Sequence, residues 1–163
     1  MSERVKAPKT QKHLAWCEQL ARGEVQGPPI SRTIGFTCTH AALGTATMEM
    51  DTEPERHANP MGTLHGGVLC DLADAALGTA MSSTLEDDET FTSVDLTIKF
   101  FKPIWRSHLR ATATVTKRSR SLGMVECDVL DDGGSLVAKL FSTCMVLRGK
   151  DAEGRQVGEP NQR

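Results

Sequence analysis

Residues 59–74 read Asn-Pro-Met-Gly-Thr-Leu-His-Gly-Gly-Val-Leu-Cys-Asp-Leu-Ala-Asp, and this stretch decides the fold. A diglycine, Gly66 and Gly67, begins an apolar segment that predicts one long helix over about residues 65–84. The helix is apolar on nearly every side, which is typical of a helix buried along most of its girth. Its N-terminal N–H groups can stabilise an oxyanion. Asp74 lies two turns inside, where apolar neighbours would desolvate its carboxylate.

The rest of the chain predicts mainly β-strands. Alternating or apolar segments predict six strands, over residues 30–40, 44–51, 91–101, 109–118, 124–130 and 136–147. In the third strand, alternation predicts one buried face, made of Val94, Leu96, Ile98 and Phe100. A short helix over residues 10–22 precedes the strands, and residues 53–62 predict a loop. The order favours an α+β fold, an antiparallel sheet of five or six strands wrapped around one long central helix, with an extra N-terminal helix.

The length of 163 residues predicts one domain with two tails. We divide the chain into a disordered N-terminal tail over residues 1–9, an N-terminal helix and linker over residues 10–29, the main domain over residues 30–148, and a flexible C-terminal tail over residues 149–163. No internal repeat or low-complexity region interrupts this plan.

Composition excludes several classes of protein. A net charge of −2 argues against nucleic-acid binding, and no apolar run is long enough to cross a membrane. The N-terminus lacks the apolar core of a signal peptide, which predicts a cytoplasmic location. The five cysteines are odd in number and form no C-x-x-C pair, so we expect neither a disulfide framework nor a metal site. No base stands beside any of them, so we expect no cysteine-centred catalysis either.

The chain resembles the hotdog-fold acyl-CoA thioesterases, and within them the PaaI-like, phenylacetate-pathway branch. The resemblance depends on Asn59 six residues before His65-Gly66-Gly67 and on Asp74 nine residues after that histidine. It continues in Ser93-Val-Asp-Leu and Lys102-Pro on the following strand, and it extends in pattern over residues 30–147.

The resemblance implies a role for each matching residue. Asp74 would attack the thioester as a nucleophile or activate water as a general base. The Gly66 N–H would donate to the oxyanion, and Gly67 would line the substrate beside it. Asn59 and His65 would flank the thioester. Ser93 would help to place the water or the carbonyl.

The resemblance also implies the partners. The active site would lie between two subunits, with Asp74 of one chain facing Gly66 of the other, so that a homodimer is required and a dimer-of-dimers tetramer is common. The substrate would be an acyl-CoA, and no cofactor is expected because CoA is part of the substrate.

Simpler interpretations of the acids stay open. Asp74 could cap or salt-bridge within the helix, although no Lys or Arg occurs between Arg56 and Lys99 to pair with it. Asp71, one turn earlier, is the rival catalytic acid. We interpret it instead as an exposed or first-turn acid stabilised by the helix dipole.

The other candidates also have structural interpretations. His65 could only fix the loop, Gly66 and Gly67 could only form a turn, and His57 is interpreted as a solvated loop residue. Arg118 and Arg120 are the best candidates for the CoA phosphates, although a solvated turn explains them equally well.

Two further functions remain alternatives. One is hydration or dehydration of an enoyl thioester on the same fold, and the other is non-catalytic acyl-CoA binding. A serine hydrolase is disfavoured because no G-x-S-x-G occurs. We expect an aryl or medium-chain acyl group. Six residues could shape its pocket or be ordinary core: Met48, Met50, Met61, Met81, Phe91 and Leu96.

Overall fold

A computed structural model describes residues 5–155 of the chain. Its helices are α1 (Lys12–Ala21), α2 (Pro29–Ile34), α3 (Pro54–His57) and α4 (Gly66–Ser82), followed near the end by a short 3-10 helix, Gly149–Ala152. Its strands are β1 (Thr37–Ala42), β2 (Thr45–Asp51), β3 (Glu89–Ser93), β4 (Thr97–Phe100), β5 (His108–Arg118), β6 (Leu122–Leu130) and β7 (Leu136–Arg148).

The seven strands form one antiparallel sheet around α4. The order is β1-β2-β5-β6-β7, and β3 and β4 both pair with β7 at the far edge. Helix α4 packs on β2, β5 and β6, and α1 packs on β1. The predicted fold, an antiparallel sheet wrapped around one long central helix with an extra N-terminal helix, is confirmed.

The core lies between α4 and the concave face of the sheet. Its largest fully buried side chains come from both layers, and they include Leu72, Leu77, Met81, Leu109, Leu140, Val125 and Val129. One stripe of α4, with Asp71, Asp74, Ala75 and Gly78, is not covered by the sheet. The helix is therefore buried on most of its surface but keeps one face free, and the candidate catalytic acid lies on that face.

The predicted strand over residues 91–101 is two strands, and its predicted burial is wrong. Asp95 separates them because its carboxylate accepts the Thr143 N–H at 2.9 Å and its carbonyl accepts the Ser142 hydroxyl at 2.9 Å. Three of the four residues expected to be buried are exposed, with Val94 and Phe100 each 55% exposed and Leu96 37%. The reason is position, since these residues lie at the β3–β4 edge of the sheet, whereas α4 packs mainly on β2, β5 and β6.

The predicted strand over residues 30–40 is also wrong in its first half. Helix α2 occupies Pro29–Ile34, because Pro29 favours the first turn of a helix and Gly35, at φ 98°, ends it in the left-handed region. The strand begins only at Thr37. The predicted loop over residues 53–62 contains α3, which Pro54 begins in the same way.

The described parts of the two predicted tails contact the domain. At the N-terminal side, the Lys9 N–H donates to both oxygens of the Glu86 carboxylate, at 3.0 and 2.8 Å. At the C-terminal side, Ala152 is buried and the Thr90 hydroxyl donates to the Arg155 carbonyl at 2.7 Å. Residues 1–4 and 156–163 of those tails lie outside the described residues. The division of the chain into four segments stays a prediction.

Candidate active site

Asp74 lies at the uncovered face of α4 and lines a cavity of about 850 Å³. Its carboxylate has no hydrogen bond and no cationic partner among residues 5–155. The side chain reaches solvent, but the surrounding protein atoms desolvate it, and this burial raises the pKa of Asp74. The nearby charge of Asp71 raises that pKa further. An unpaired carboxyl with a raised pKa at the edge of a cavity is a candidate base or nucleophile.

Asp71 is neither fully exposed nor in the first turn of α4. It lies in the second turn of α4, is half-buried, and lines the same cavity as Asp74. The interpretation of Asp71 as an exposed or first-turn acid is therefore wrong. The sequence spacing of three residues places both carboxylates on one helix face, and the uncovered stripe directs that face to the cavity.

Ser93 and Cys144 pair with each other, and Cys144 is within electrostatic reach of Asp74. Ser93 ends β3 opposite Cys144 in β7, and its hydroxyl oxygen is 4.0 Å from the cysteine sulfur. Burial raises the pKa of the Cys144 thiol, and the charges of Asp74 and Asp95 raise it further, so Asp74 is within electrostatic reach of this thiol. A thiol with a raised pKa is a poor nucleophile. We call Asp74, Ser93 and Cys144 the acid half-site.

The sequence contains no signal that would have found Cys144. It lies in an ordinary apolar strand, and only the pairing of β3 with β7 brings it to Ser93. Because the thiol is buried and hard to ionise, we assign it a packing role beneath the hydroxyl of Ser93.

The start of α4 carries the second group of predicted residues. His65 is the N-cap, and its Nδ1 accepts the Gly67 N–H at 2.9 Å. Since Nδ1 accepts, the neutral ring carries its proton on Nε2. The Gly66 N–H donates to no group within the described part of the chain. It is thus an unpaired donor at the positive end of the helix dipole, as an oxyanion donor must be.

Asn59 shapes the loop before this helix start. Its side-chain Nδ2 donates to the Thr63 hydroxyl at 2.8 Å, and its Oδ1 accepts the Met61 N–H at 2.9 Å. The Asn59 N–H donates to the Thr63 carbonyl at 2.7 Å, which closes the turn. We call Asn59, His65 and Gly66 the donor half-site.

His57 is buried, so its interpretation as a solvated loop residue is wrong. Its Nδ1 accepts the Glu53 N–H at 2.9 Å, and its Nε2 lies 2.9 Å from the Ile34 carbonyl. The His57 carbonyl also accepts the His65 N–H at 2.8 Å. His57 therefore connects α2 and α3 to the donor half-site.

The two half-sites are separated within one chain. Gly66 and Asp74 are eight residues apart on the same helix, or about 12 Å along its axis. They also line different cavities, since Gly66 borders a second one of about 420 Å³ with Phe100, Lys102 and other residues. One chain therefore does not bring its own Gly66 N–H and its own Asp74 to a single carbonyl group.

Phe100 packs against Gly66. A Cβ atom at this position would lie 2.9 Å from Phe100 Cζ, so the exposed phenyl ring would have to move. Phe100 is itself exposed at the sheet edge, beside the donor half-site. The donor half-site and the open edge of the sheet are thus one continuous surface.

Arg118 and Arg120, the candidates for binding the CoA phosphates, differ in exposure and pairing. Arg118 donates to the Glu89 carboxylate at 2.6 Å, in a pair whose side chains are 12% and 5% exposed, and Arg148 binds the other oxygen of the same carboxylate. Breaking such a buried pair would leave Glu89 short of a partner. Arg120 is exposed at the turn between β5 and β6. On the donor side, Lys102 lines the second cavity and pairs with Asp131.

Replacing Gly67 with Ala is expected to displace His65 from the helix start. The added Cβ would lie 2.9 Å from His65 Nδ1, so the imidazole ring of His65 would have to move away from the methyl group. We expect turnover to fall about tenfold as the donor geometry shifts. The lost cap costs about 1 kcal/mol, which the better helix propensity of Ala largely offsets. Steady-state kinetics and urea unfolding of both proteins test this.

Gly133→Ala is the matched control, because this hairpin glycine has no positive φ and lies outside both half-sites. Equal turnover of Gly67→Ala and the wild type would contradict a role of the His65 cap in positioning the donor.

No helix between residues 5 and 155 is long and apolar enough to cross a membrane. Within the same range, no group of three His, Cys, Asp or Glu side chains could hold a metal ion.

Comparison with known proteins identifies the family. The sequence profile of the thioesterase superfamily matches residues 61–138. Human acyl-coenzyme A thioesterase 13 is 33% identical over 111 residues, which cover 66% of this chain and 78% of that protein. A putative esterase of Haemophilus influenzae is 30% identical over 102 residues, or 63% of this chain and 72% of the relative.

Solved structures agree on the fold. The Escherichia coli PaaI protein from the phenylacetic acid degradation operon has a TM-score of 0.73 at 23% identity, covering 86% of this chain and 98% of that one. A putative thioesterase of Ralstonia eutropha, a phenylacetic acid degradation-related protein, has a TM-score of 0.71 at 26% identity, covering 80% and 98%.

This chain belongs to the thioesterase superfamily, with the hotdog fold of the PaaI-like branch, and it is a thioester hydrolase. The resemblance stated from the sequence is therefore confirmed.

Proposed function

We propose that this protein hydrolyses the thioester of an aryl- or medium-chain acyl-CoA to the free acid and CoA. The observation that carries the proposal is an unpaired Asp74, with its raised pKa, at a large and mainly apolar cavity. The names of the relatives, an acyl-coenzyme A thioesterase and phenylacetic acid degradation proteins, agree with such a substrate. CoA is part of the substrate, so the reaction requires no cofactor. We expect the enzyme in the cytoplasm.

The residues divide the chemistry between them. Asp74 attacks the thioester carbonyl or removes a proton from the attacking water, and both mechanisms stay open. The Gly66 N–H stabilises the oxyanion that forms, a contribution of about 3 kcal/mol for one such donor. His65 and Asn59 hold that donor in place, Gly67 allows the ring of His65 to approach, and Ser93 orients the water or the carbonyl.

A shared active site in a homodimer follows from the separation of the half-sites. Because Gly66 and Asp74 of one chain are about 12 Å apart along the helix, the acid half-site must be completed by the donor half-site of a second chain. The open edge at β3 and β4 is the surface available for this, since it exposes Val94, Leu96, Phe100 and Phe101. A twofold axis at this edge would complete two sites at once. We also expect two such dimers to form a tetramer.

For the CoA phosphates we propose Arg120 rather than Arg118. The guanidinium of Arg118 already binds Glu89 in a buried pair, whereas Arg120 is exposed. Lys102 is a further candidate, because it lines the cavity that also contains Gly66.

Release of free thiol from a panel of acyl-CoA esters tests the function. We expect saturable release from phenylacetyl-CoA or a medium-chain acyl-CoA, and its loss in Asp74→Asn. Binding without thiol release would instead support a non-catalytic acyl-CoA-binding protein. Loss of enoyl absorbance from an enoyl-CoA without thiol release would support a hydratase.

The pH dependence should report the environment of Asp74. Burial and the charge of Asp71 raise the pKa of Asp74 above its ordinary value of 3.8, and catalysis requires the ionised form. We therefore expect kcat/KM to increase with pH through that raised pKa and then to level off. In Asp71→Asn the inflection should move to lower pH, because one repulsive charge is gone. An inflection that does not move in Asp71→Asn would contradict this assignment.

A further inference from the structure

One wall of the cavity beside Asp74 is formed by the N-terminal helices and not by the sheet or α4. We call it the N-terminal wall. The floor of the cavity is the uncovered face of α4, and its far side is formed by α1, α2 and the segments that join them to β1. Six apolar or small residues characterise it: Trp16, Leu20, Phe36, Met48, Gly78 and Phe91. A volume of about 850 Å³ is within the range of small-molecule sites.

The N-terminal wall is fixed to the domain. Cys17 is fully buried, and its thiol points to the Thr79 carbonyl of α4 at 3.6 Å. Helix α2 is held from the other side, because Arg56 donates to the Thr33 carbonyl at 2.6 Å and His57 contacts the Ile34 carbonyl. The wall therefore has a defined position relative to Asp74, as a binding chamber requires.

The charged groups at the cavity are two arginines and two acids. Of the two arginines at the cavity, Arg22 pairs with Glu24 at 2.7 Å, and Arg32 donates to the Gly27 carbonyl at 3.1 Å. The two acids, Asp71 and Asp74, are both on α4. The N-terminal wall thus offers mainly apolar contacts, which suit a hydrocarbon or aryl group rather than a phosphate or a nucleotide.

Gly78 lies on the face of α4 that forms the floor of the cavity. It follows Asp74 by four residues, so it lies about 6 Å further along the axis, and Ser82 lies about 12 Å along. A Cβ at Gly78 would lie 3.6 Å from Phe91 Cζ, an ordinary contact. The fold therefore has room for a methyl group at this position, and a larger side chain would extend from α4 into the cavity that Gly78 lines.

We propose that this cavity is the acyl chamber, in which the acyl group extends from Asp74 along α4 towards Ser82 beneath the wall formed by α1 and α2, and that Gly78 sets how much of the chain enters. The inference rests on the proposed function and names its acyl subsite. The wall lies outside residues 61–138, the part that matches the superfamily profile. The acyl preference of this enzyme is therefore determined in large part by its own N-terminal segment.

Binding of non-hydrolysable thioethers tests the chamber independently of hydrolysis. Ethyl-CoA and dodecyl-CoA thioethers are titrated calorimetrically into wild type, Gly78→Val, Trp16→Ala and the control Ala15→Val, which alters an exposed position of the same α1. We expect the wild type and Ala15→Val to prefer dodecyl-CoA by about tenfold or more. That ratio should fall to about threefold or less in Gly78→Val and in Trp16→Ala.

Thiol release from acetyl-CoA and dodecanoyl-CoA, measured with the same proteins, separates the two proposals. A reduced ratio in the variants supports the chamber even if no ester is cleaved, and the absence of cleavage would then reject only the proposed function. Two results would overturn the proposed chamber and leave the proposed hydrolase intact. One is a wild type that cleaves the esters but does not prefer dodecyl-CoA in binding. The other is an unchanged binding ratio of dodecyl-CoA to ethyl-CoA in both variants.

Discussion

Replacing Asp74 with Asn is expected to lower kcat by about a thousandfold, the effect of removing a general base or nucleophile. The amide keeps the shape of the side chain but can neither attack a carbonyl nor accept a proton from water. Asp74 is the acid to change because it combines an unpaired carboxylate, a raised pKa and an electrostatic effect on Cys144, the strand partner of Ser93. Single-turnover thiol release with the preferred acyl-CoA measures the effect.

Asp71→Asn is the matched control for this prediction. Both carboxylates are on the same helix face and line the same cavity, so the two variants differ only in which acid is removed. We expect Asp71→Asn to keep most of the turnover. Retained activity in Asp74→Asn with lost activity in Asp71→Asn would exchange the roles of the two acids.

The loss of activity in Asp74→Asn should not come from unfolding of the protein. Its ionised form is disfavoured in the folded protein, since burial raises its pKa. A neutral amide at this position therefore leaves the free energy of unfolding at neutral pH equal or slightly higher. Urea unfolding of Asp74→Asn beside the wild type provides this check on the kinetic result.

Mixing two inactive variants should restore activity. Asp74→Asn removes the acid of the acid half-site, and Gly66→Val is expected to disrupt the donor half-site, because its side chain would have to displace Phe100. In a dimer with shared sites, a mixed pair contains one site with both defects and one site with none. A random equimolar mixture then recovers about a quarter of the wild-type activity, because half of the dimers are mixed and each has one intact site.

The matched control for mixing is Asp74→Asn combined with Ser93→Ala. Both residues belong to the acid half-site, so these two variants leave no site of a mixed dimer intact. Recovery in the first mixture and none in the second identifies sharing between subunits. If the first mixture stays at the level of its separate components, each chain contains a complete site and the shared-site proposal is wrong.

Much of the fold could be predicted because it depends on local patterns. The broad apolar surface of residues 66–82 required burial, and Asp-Asp-Gly-Gly at 131–134, between two of the predicted strands, is typical of a hairpin turn such as the one that joins β6 to β7. The Pro28-Pro29 pair lies between the predicted N-terminal helix and the first predicted strand, and Pro29 begins α2 there. The proline signal for a helix start was therefore present in the sequence, but α2 was not predicted from it.

The position of each strand within the sheet could not be predicted from the sequence. Alternation over residues 94–100 predicts one buried face, yet the same pattern occurs at this edge of the sheet, where most of the apolar side chains are exposed. The burial of His57, the pairing of Arg118 with Glu89 and the approach of Cys144 to Ser93 all depend on contacts between residues at least 23 positions apart. Such contacts follow from topology, and spacing along the chain does not reveal them.

The most direct measurement is a crystal structure with an acyl-CoA ketone analogue, in which a methylene replaces the sulfur and the carbonyl is kept. We expect the Gly66 N–H of one subunit to lie about 3 Å from the carbonyl oxygen, while Asp74 of the other subunit faces the carbonyl carbon. A carbonyl group bound by residues of one chain only, or an Asp74 directed away from it, would contradict the proposed shared active site.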